Sequence, residues 1–95
     1  MGSKRKILPR VLVEIKVRYK PTVPDPEQAD ILASLRDRGY DLVTDAIQAK
    51  FFQIKFKKMT LKKARADAIE FCEILLANPV TQNFEITKIE PFERR

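Results

Sequence analysis

The sequence contains no histidine and no tryptophan, one cysteine and two glycines. Each shortage removes a class of chemistry. Without histidine there is neither the commonest general base nor the commonest nitrogen ligand for metals. The single thiol, Cys72, permits no intrachain disulfide and no thiolate zinc cluster. These absences fit a reduced, cytoplasmic protein with no structural metal and no cofactor. Gly2 and Gly39 cannot supply a glycine-rich phosphate loop. No apolar run approaches the ~20 residues of a membrane-spanning helix, and the basic N-terminus lacks the apolar stretch of an export signal behind it.

What remains is material for one small domain. Ninety-five residues, 44% of them apolar, suit a single modest core. The net charge is +6, but between Val11 and Glu90 stand 13 basic and 12 acidic residues, so the body is nearly neutral. The excess sits in Lys4, Arg5, Lys6, Arg10, Arg94 and Arg95, set against Glu93. Basic tails confer generic anion affinity without defining a binding surface. The expected organisation is a basic N-terminal tail over residues 1–10, one domain over 11–90 and a C-terminal tail over 91–95. Met1-Gly2-Ser3, which cloning can also leave behind, takes no part in the fold argument.

Val11, Val13, Ile15, Val17 and Tyr19 alternate with Leu12, Glu14, Lys16 and Arg18, the period of a strand with one buried face. Pro21 and Pro24 make the following stretch a connector. Asp25-Pro26-Glu27-Gln28 opens a helix, with Asp25 as cap, Pro26 at the first position and Gln28 completing a capping box. The helix runs over 26–38 on an Ile31, Leu32 and Leu35 stripe, and Gly39 supplies a left-handed stop. Leu42 to Ile47 and Lys50 to Lys57 read as two strands joined near Gln48-Ala49, although no Asn-Gly or Asp-Gly marks the turn. Thr60 caps a second helix reaching about Ala77, with Leu61, Ala64, Ala68, Phe71, Cys72 and Leu75 on its apolar face and Ile69 and Leu76 widening it. Asn78-Pro79 ends that helix, and Phe84, Ile86 and Ile89 outline a last strand. The order β-α-β-β-α-β predicts an α+β, ferredoxin-like sandwich, an antiparallel sheet with both helices on one face.

Such a sheet leaves its second face bare, and Leu12 and Phe51 point toward it. A docking or self-association surface there competes with ordinary scattered surface apolar groups. Lys50-Phe51-Phe52-Gln53-Ile54-Lys55-Phe56 has a loose likeness to the aromatic strand of RNA-recognition modules, but the glycine of that motif and a companion aromatic on the first strand are missing. Core and interface phenylalanines are the better reading, and an RNA- or nucleotide-binding module stands as the alternative. Lys55, Lys57, Lys58, Lys62, Lys63 and Arg65 crowd the start of the second helix against its dipole. A solvated face, eased by Lys63–Asp67 at i, i+4, outweighs an anion site. Cys72 lies on the apolar stripe as a packing thiol, and Asp25, Asp30, Asp37, Asp41 and Asp45 take cap, turn and exposed positions. No catalytic constellation emerges.

Read in order, Lys20 and Val23, Asp25-Pro26, Ile31 and Leu35, Gly39-Tyr40 and Val43, Lys50 and Ile54, then Cys72 and Leu75-Leu76-Ala77-Asn78-Pro79-Val80 with Phe84 beyond, form an ordered set. That set resembles the PurS family, the small subunit of phosphoribosylformylglycinamidine synthase, through most of the chain. Thr22, Pro24, Gln28 and Ala49 depart from residues common in the family, which puts local contacts at the first helix start and the hairpin in question. The resemblance implies a non-catalytic role in purine synthesis. A glutaminase subunit releases ammonia, an ATP-dependent synthetase uses it, and the small subunit, as a dimer or tetramer, bridges the two. It also implies partner contacts at Lys20, Asp25, Lys50, Asn78 and Pro79, to which the exposed strand residue Phe51 is added. No membrane and no nucleic acid is expected as partner.

Overall fold

A computed structural model describes residues 8–92 of the chain. The alternating segment forms the central strand β1, Arg10–Tyr19, with β2, Lys50–Phe56, and β3, Gln82–Phe92, antiparallel on either side. Helices α1, Pro26–Asp37, and α2, Leu61–Phe71, complete an α+β chain, and α2 continues as a π-helical turn over Cys72–Leu76. β1 earns its central place by its sequence: Val11, Val13, Ile15 and Val17 are buried on one side, and pairing on both edges satisfies its backbone.

The core lies between this face and α2. Ala64, Ala68 and Cys72, spaced one turn apart, are fully buried. Their small side chains let the helix approach the sheet closely, while Phe52, Ile54, Phe56, Phe84, Ile86 and Ile89 pack around them. Phe56 and Phe71 stack with centroids 6.1 Å apart. Thr60 caps α2 by accepting the Lys63 amide at 3.1 Å, and Lys63 pairs with Asp67 at 3.0 Å, both as the sequence predicts. The π-helical turn, closed by the Ala77 amide on the Cys72 carbonyl at 3.0 Å, advances more residues per turn than an α-helix. The apolar stripe is thereby rotated off the core, and Leu75, expected on the buried face, is 76% exposed.

Two expectations need correction. Leu42 to Ile47 forms no strand, so among the described residues the sheet has three strands and the element order is β-α-β-α-β. Apolar residues are present, but the chain cannot reverse tightly at Gln48-Ala49 without a residue suited to positive φ. Side chains of α1 take its backbone groups instead: Arg36 donates to the Val43 carbonyl at 3.2 Å, and the Gln48 amide donates to Gln28 Oε1 at 2.6 Å. Gln28 is therefore spent on this segment and completes no capping box. Helix α1, in turn, does not join α2 over the sheet. It buries no residue and makes no substantial contact with a strand or with α2. Together α1 and the segment back to Lys50 form an arm, with Gly39 at φ +94° where it turns.

Candidate partner-docking site

The arm leaves and rejoins the sheet at one end, where β1 finishes and β2 and β3 begin. Five of the six sequence-selected residues collect there. The Lys20 amide donates to the Thr81 carbonyl at 2.9 Å, tying the outgoing connector to the start of β3. Pro21, Pro24 and Pro26 restrict the backbone beyond it. Asp25 caps α1, its Oδ1 accepting the Glu27 amide at 2.9 Å. Lys50 opens β2 opposite Val17. Asn78 organises the turn out of the π-helix: its Oδ1 accepts the Val80 amide at 2.9 Å, and its carbonyl accepts the Gln82 amide at 2.7 Å. Pro79 sits at the crest of that turn, where it cannot continue a helix.

Two clefts open beside these residues. The larger, about 440 Å³, lies between Lys20, Glu73, Pro79 and Phe84, with Cys72 in its lining. The smaller, about 140 Å³, is bounded by Tyr19, Asp25, Gln48 and Lys50, and Gln82 borders both. Burial and the neighbouring Glu73 carboxylate both push the Cys72 thiol above its ordinary range, burial most. It therefore stays protonated and makes a poor nucleophile. Among the described residues no three carboxylate or thiol side chains group closely enough to hold a metal. None of their helices is long and apolar enough to cross a membrane. The chemistry available here is recognition.

Phe51 falls on the far side of the sheet, 57% exposed and opposite Lys16. That side does not carry the apolar surface expected of it. Its rows read Glu85–Lys16–Phe51, Lys88–Glu14–Gln53 and Glu90–Leu12–Lys55 across the strands, a polar lattice in which Gln53 donates to Glu14 at 2.8 Å. Phe92 lies beneath the Lys55 ammonium, 5.4 Å from the ring centre. With one exposed phenylalanine and Phe52 turned to the core, the strand offers no platform for stacking bases. The exposed basic cluster from Lys55 to Arg65 lies at the opposite end of the sheet from the arm.

The uncovered apolar surface is instead on the arm and the π-helical turn. Ile31, Tyr40, Leu42 and Ile47 are exposed on the first, and Ile74, Leu75 and Val80 on or beside the second. On the sheet, Phe52 and Ile54 stay half-buried on the helix side because α2 lies over β1 and β3. Sequence reasoning missed Gln48, whose amide and side chain fasten the returning connector to Gln28 and Glu27. The only sequence signal was negative, the missing turn residue at 48–49.

Residues 12–90 match the family described as PurS, phosphoribosylformylglycinamidine (FGAM) synthase. Over 76 residues the chain is 33% identical to the phosphoribosylformylglycinamidine synthase subunit PurS of Archaeoglobus fulgidus, covering 80% of this chain and 95% of that one. Its fold is similar to that of Methanocaldococcus jannaschii PurS, with a TM-score of 0.77, 29% identity and coverage of 87% and 99%. It also matches a chain of the PurLQS structure from Thermotoga maritima, with a TM-score of 0.74, 26% identity and coverage of 90% and 100%.

Proposed function

The chain belongs to the PurS family of phosphoribosylformylglycinamidine synthase, and from that premise we propose that it is the non-catalytic small subunit that bridges the glutaminase and synthetase of this ATP- and glutamine-dependent enzyme. One observation carries the reading: a helix with an apolar stripe that has no seat in its own chain. A domain of this size gains most of its stability from burial, and it keeps such a surface uncovered only when another chain covers it. The Thermotoga maritima assembly, described as PurLQS, supports a place beside two larger companions.

The first cover is a second copy. The chain carries an unseated helix and, above Phe52 and Ile54 on β2, a seat without a helix. One copy's α1 laid over its partner's β2, and the reverse, satisfies both by the same contact, as two-fold symmetry requires. Four chains, rather than two, form if the π-helical turn with Ile74, Leu75 and Val80 also pairs; otherwise that surface meets a companion subunit. The clefts at the arm's root, with Lys20, Asp25, Lys50, Asn78 and Pro79, and Phe51 next to Lys50 on β2, are the proposed contacts. Positioning is the contribution, because a reactive intermediate such as ammonia is lost to solvent unless donor and acceptor sites are held together. The lone, buried thiol is consistent with work in the cytoplasm.

Two measurements test this. Mass in solution should exceed that of one chain. Omitting the chain from the three-part enzyme should abolish glutamine-dependent synthesis and spare ammonia-dependent synthesis. If omission changes neither, the bridging role is wrong.

A further inference from the structure

The end of the sheet opposite the arm gathers positive charge that the sequence spreads over distant segments. Arg10 begins β1 opposite Phe92, the last residue of β3, and Val11 pairs with Phe56, the last residue of β2. Lys55, Lys57 and Lys58 lie where β2 ends, and the Met59 amide donates to the Pro9 carbonyl at 3.0 Å. Helix α2 then opens with Lys62 and, nearly a turn later, Arg65. All six of these cations are exposed, and none forms a salt bridge with a described residue, whereas Lys63 is spent on Asp67. Glu90, across Leu12 from Lys55, is the other carboxylate among the described residues of these strand ends and the first two turns of α2. Both limits of the described chain, Leu8 and Phe92, also lie here, and the sequence continues beyond them into Lys4, Arg5 and Lys6 and into Glu93, Arg94 and Arg95.

Folding does not account for this concentration. Cations near the first turn of α2 oppose its dipole, and no acidic residue stands there to offset them. Mutual repulsion among unpaired like charges destabilises the compact state further. The cations nevertheless sit on a fixed frame, set by the pairing of β1 with both neighbours and by the Thr60 cap. Leu61, 41% exposed, stands beside Lys62 at the helix start, an apolar point within a charged rim, as in protein contacts. The aromatic rings at this end are closed to a nucleobase: Phe56 stacks on Phe71, and Phe92 lies under Lys55. Four of the six cations are lysines, which meet carboxylates as point charges and lack the planar fork that reads guanine. A single exposed leucine gives a bilayer too little apolar surface to bury.

We propose that this basic end is the surface by which the chain docks onto a carboxylate-rich face of one of its two larger companion subunits, drawn there by long-range attraction. The proposal rests on the subunit role argued above and adds the surface and its chemistry. It divides the work of the molecule: the arm meets a second copy, and the far end of the sheet meets a companion. The lysines that weaken the start of α2 are then kept for the encounter rather than for the fold.

The test compares the full chain with a variant carrying Lys58→Glu and Lys62→Glu, each binding to the glutaminase and synthetase subunits from the same source. For the parent, raising salt from about 50 to about 200 mM should slow association about tenfold or more. At the lower salt the variant should associate about tenfold more slowly still, with most of the salt dependence gone and dissociation within about threefold of the parent. Its mass in solution should match the parent's, and its urea midpoint should be equal or higher, because a carboxylate at position 62 suits a helix start. If the reversed variant does not fold, Lys58→Gln with Lys62→Gln decides, with an association rate between the two. Equal association rates in variant and parent would overturn this proposal and leave the subunit role standing. A parent that binds neither companion would overturn both. Companion binding retained while binding to single-stranded RNA or phosphatidylserine vesicles is lost would give the surface to those anions, and would also overturn it.

Discussion

Leu42 is 96% exposed in its own chain and sits on the return limb of the arm, which makes it a clean probe of what covers that surface. Leu42→Ser removes a side chain that packs on nothing within the chain. Stability of the isolated fold should therefore change by less than about 0.5 kcal/mol. In the exchanged pair the outcome is different. Burying a leucine fully is worth about 1.5–3 kcal/mol, and two-fold symmetry counts the contact twice, so about 3–6 kcal/mol of association is lost. That corresponds to a weakening of roughly a hundredfold to ten-thousandfold in the dissociation constant. Sedimentation over a dilution series reads the association, and urea unfolding below the dissociation constant reads the fold. A dissociation constant within threefold of the parent would show that a second copy does not cover this part of the arm.

Other outcomes follow from the core, the arm's turn and the thiol. Ala68 is fully buried where α2 meets the sheet, so Ala68→Leu should overpack it and cost about 1–3 kcal/mol in urea unfolding. Gly39 has φ +94° and open space where a Cβ would stand; Gly39→Ala therefore meets backbone strain alone, about 1–2 kcal/mol, with the association constant of the surviving fold unchanged. Cys72 is held protonated by burial, its pKa raised in the folded state. The unfolded thiol ionises first, near pH ~8.5. The thiol's contribution to stability is thus whole below that pH and declines as pH rises toward the folded value. Unfolding curves collected between neutral pH and about pH 10 should show this decline, and Cys72→Ala should flatten it.

The strand at the centre of the sheet was legible because alternation over nine residues reports a buried face directly, and β1 needs nothing else to define it. Asp25, Thr60 and Gly39 were legible for the same local reason: a cap or a left-handed stop is chemistry between near neighbours. Leu42 to Ile47 was not. Its apolar residues do not say whether a neighbouring strand exists, and here polar side chains of α1 claim the backbone first. Leu75 matched a helical stripe until the π-helical turn rotated it outward, an effect of one displaced hydrogen bond that no periodicity encodes. Five of the six proposed contact residues came from a family likeness, and those five converge in space, but nothing local connects Lys20 to Asn78. Gln48 carried no positive signature, because its role depends on a segment twenty residues away turning back beside it.

By itself the sequence determined composition, helix starts and stops, the buried face of β1 and the want of catalytic side chains. These depend on residue type and spacing within a few turns of chain. Tertiary structure alone decided that the arm stands clear of the sheet, that the bare sheet face is polar, and that the uncovered apolar groups lie on the arm and the π-helical turn. Those outcomes depend on which of several competing partners each backbone amide and apolar side chain reaches first, and that competition is settled across the whole fold.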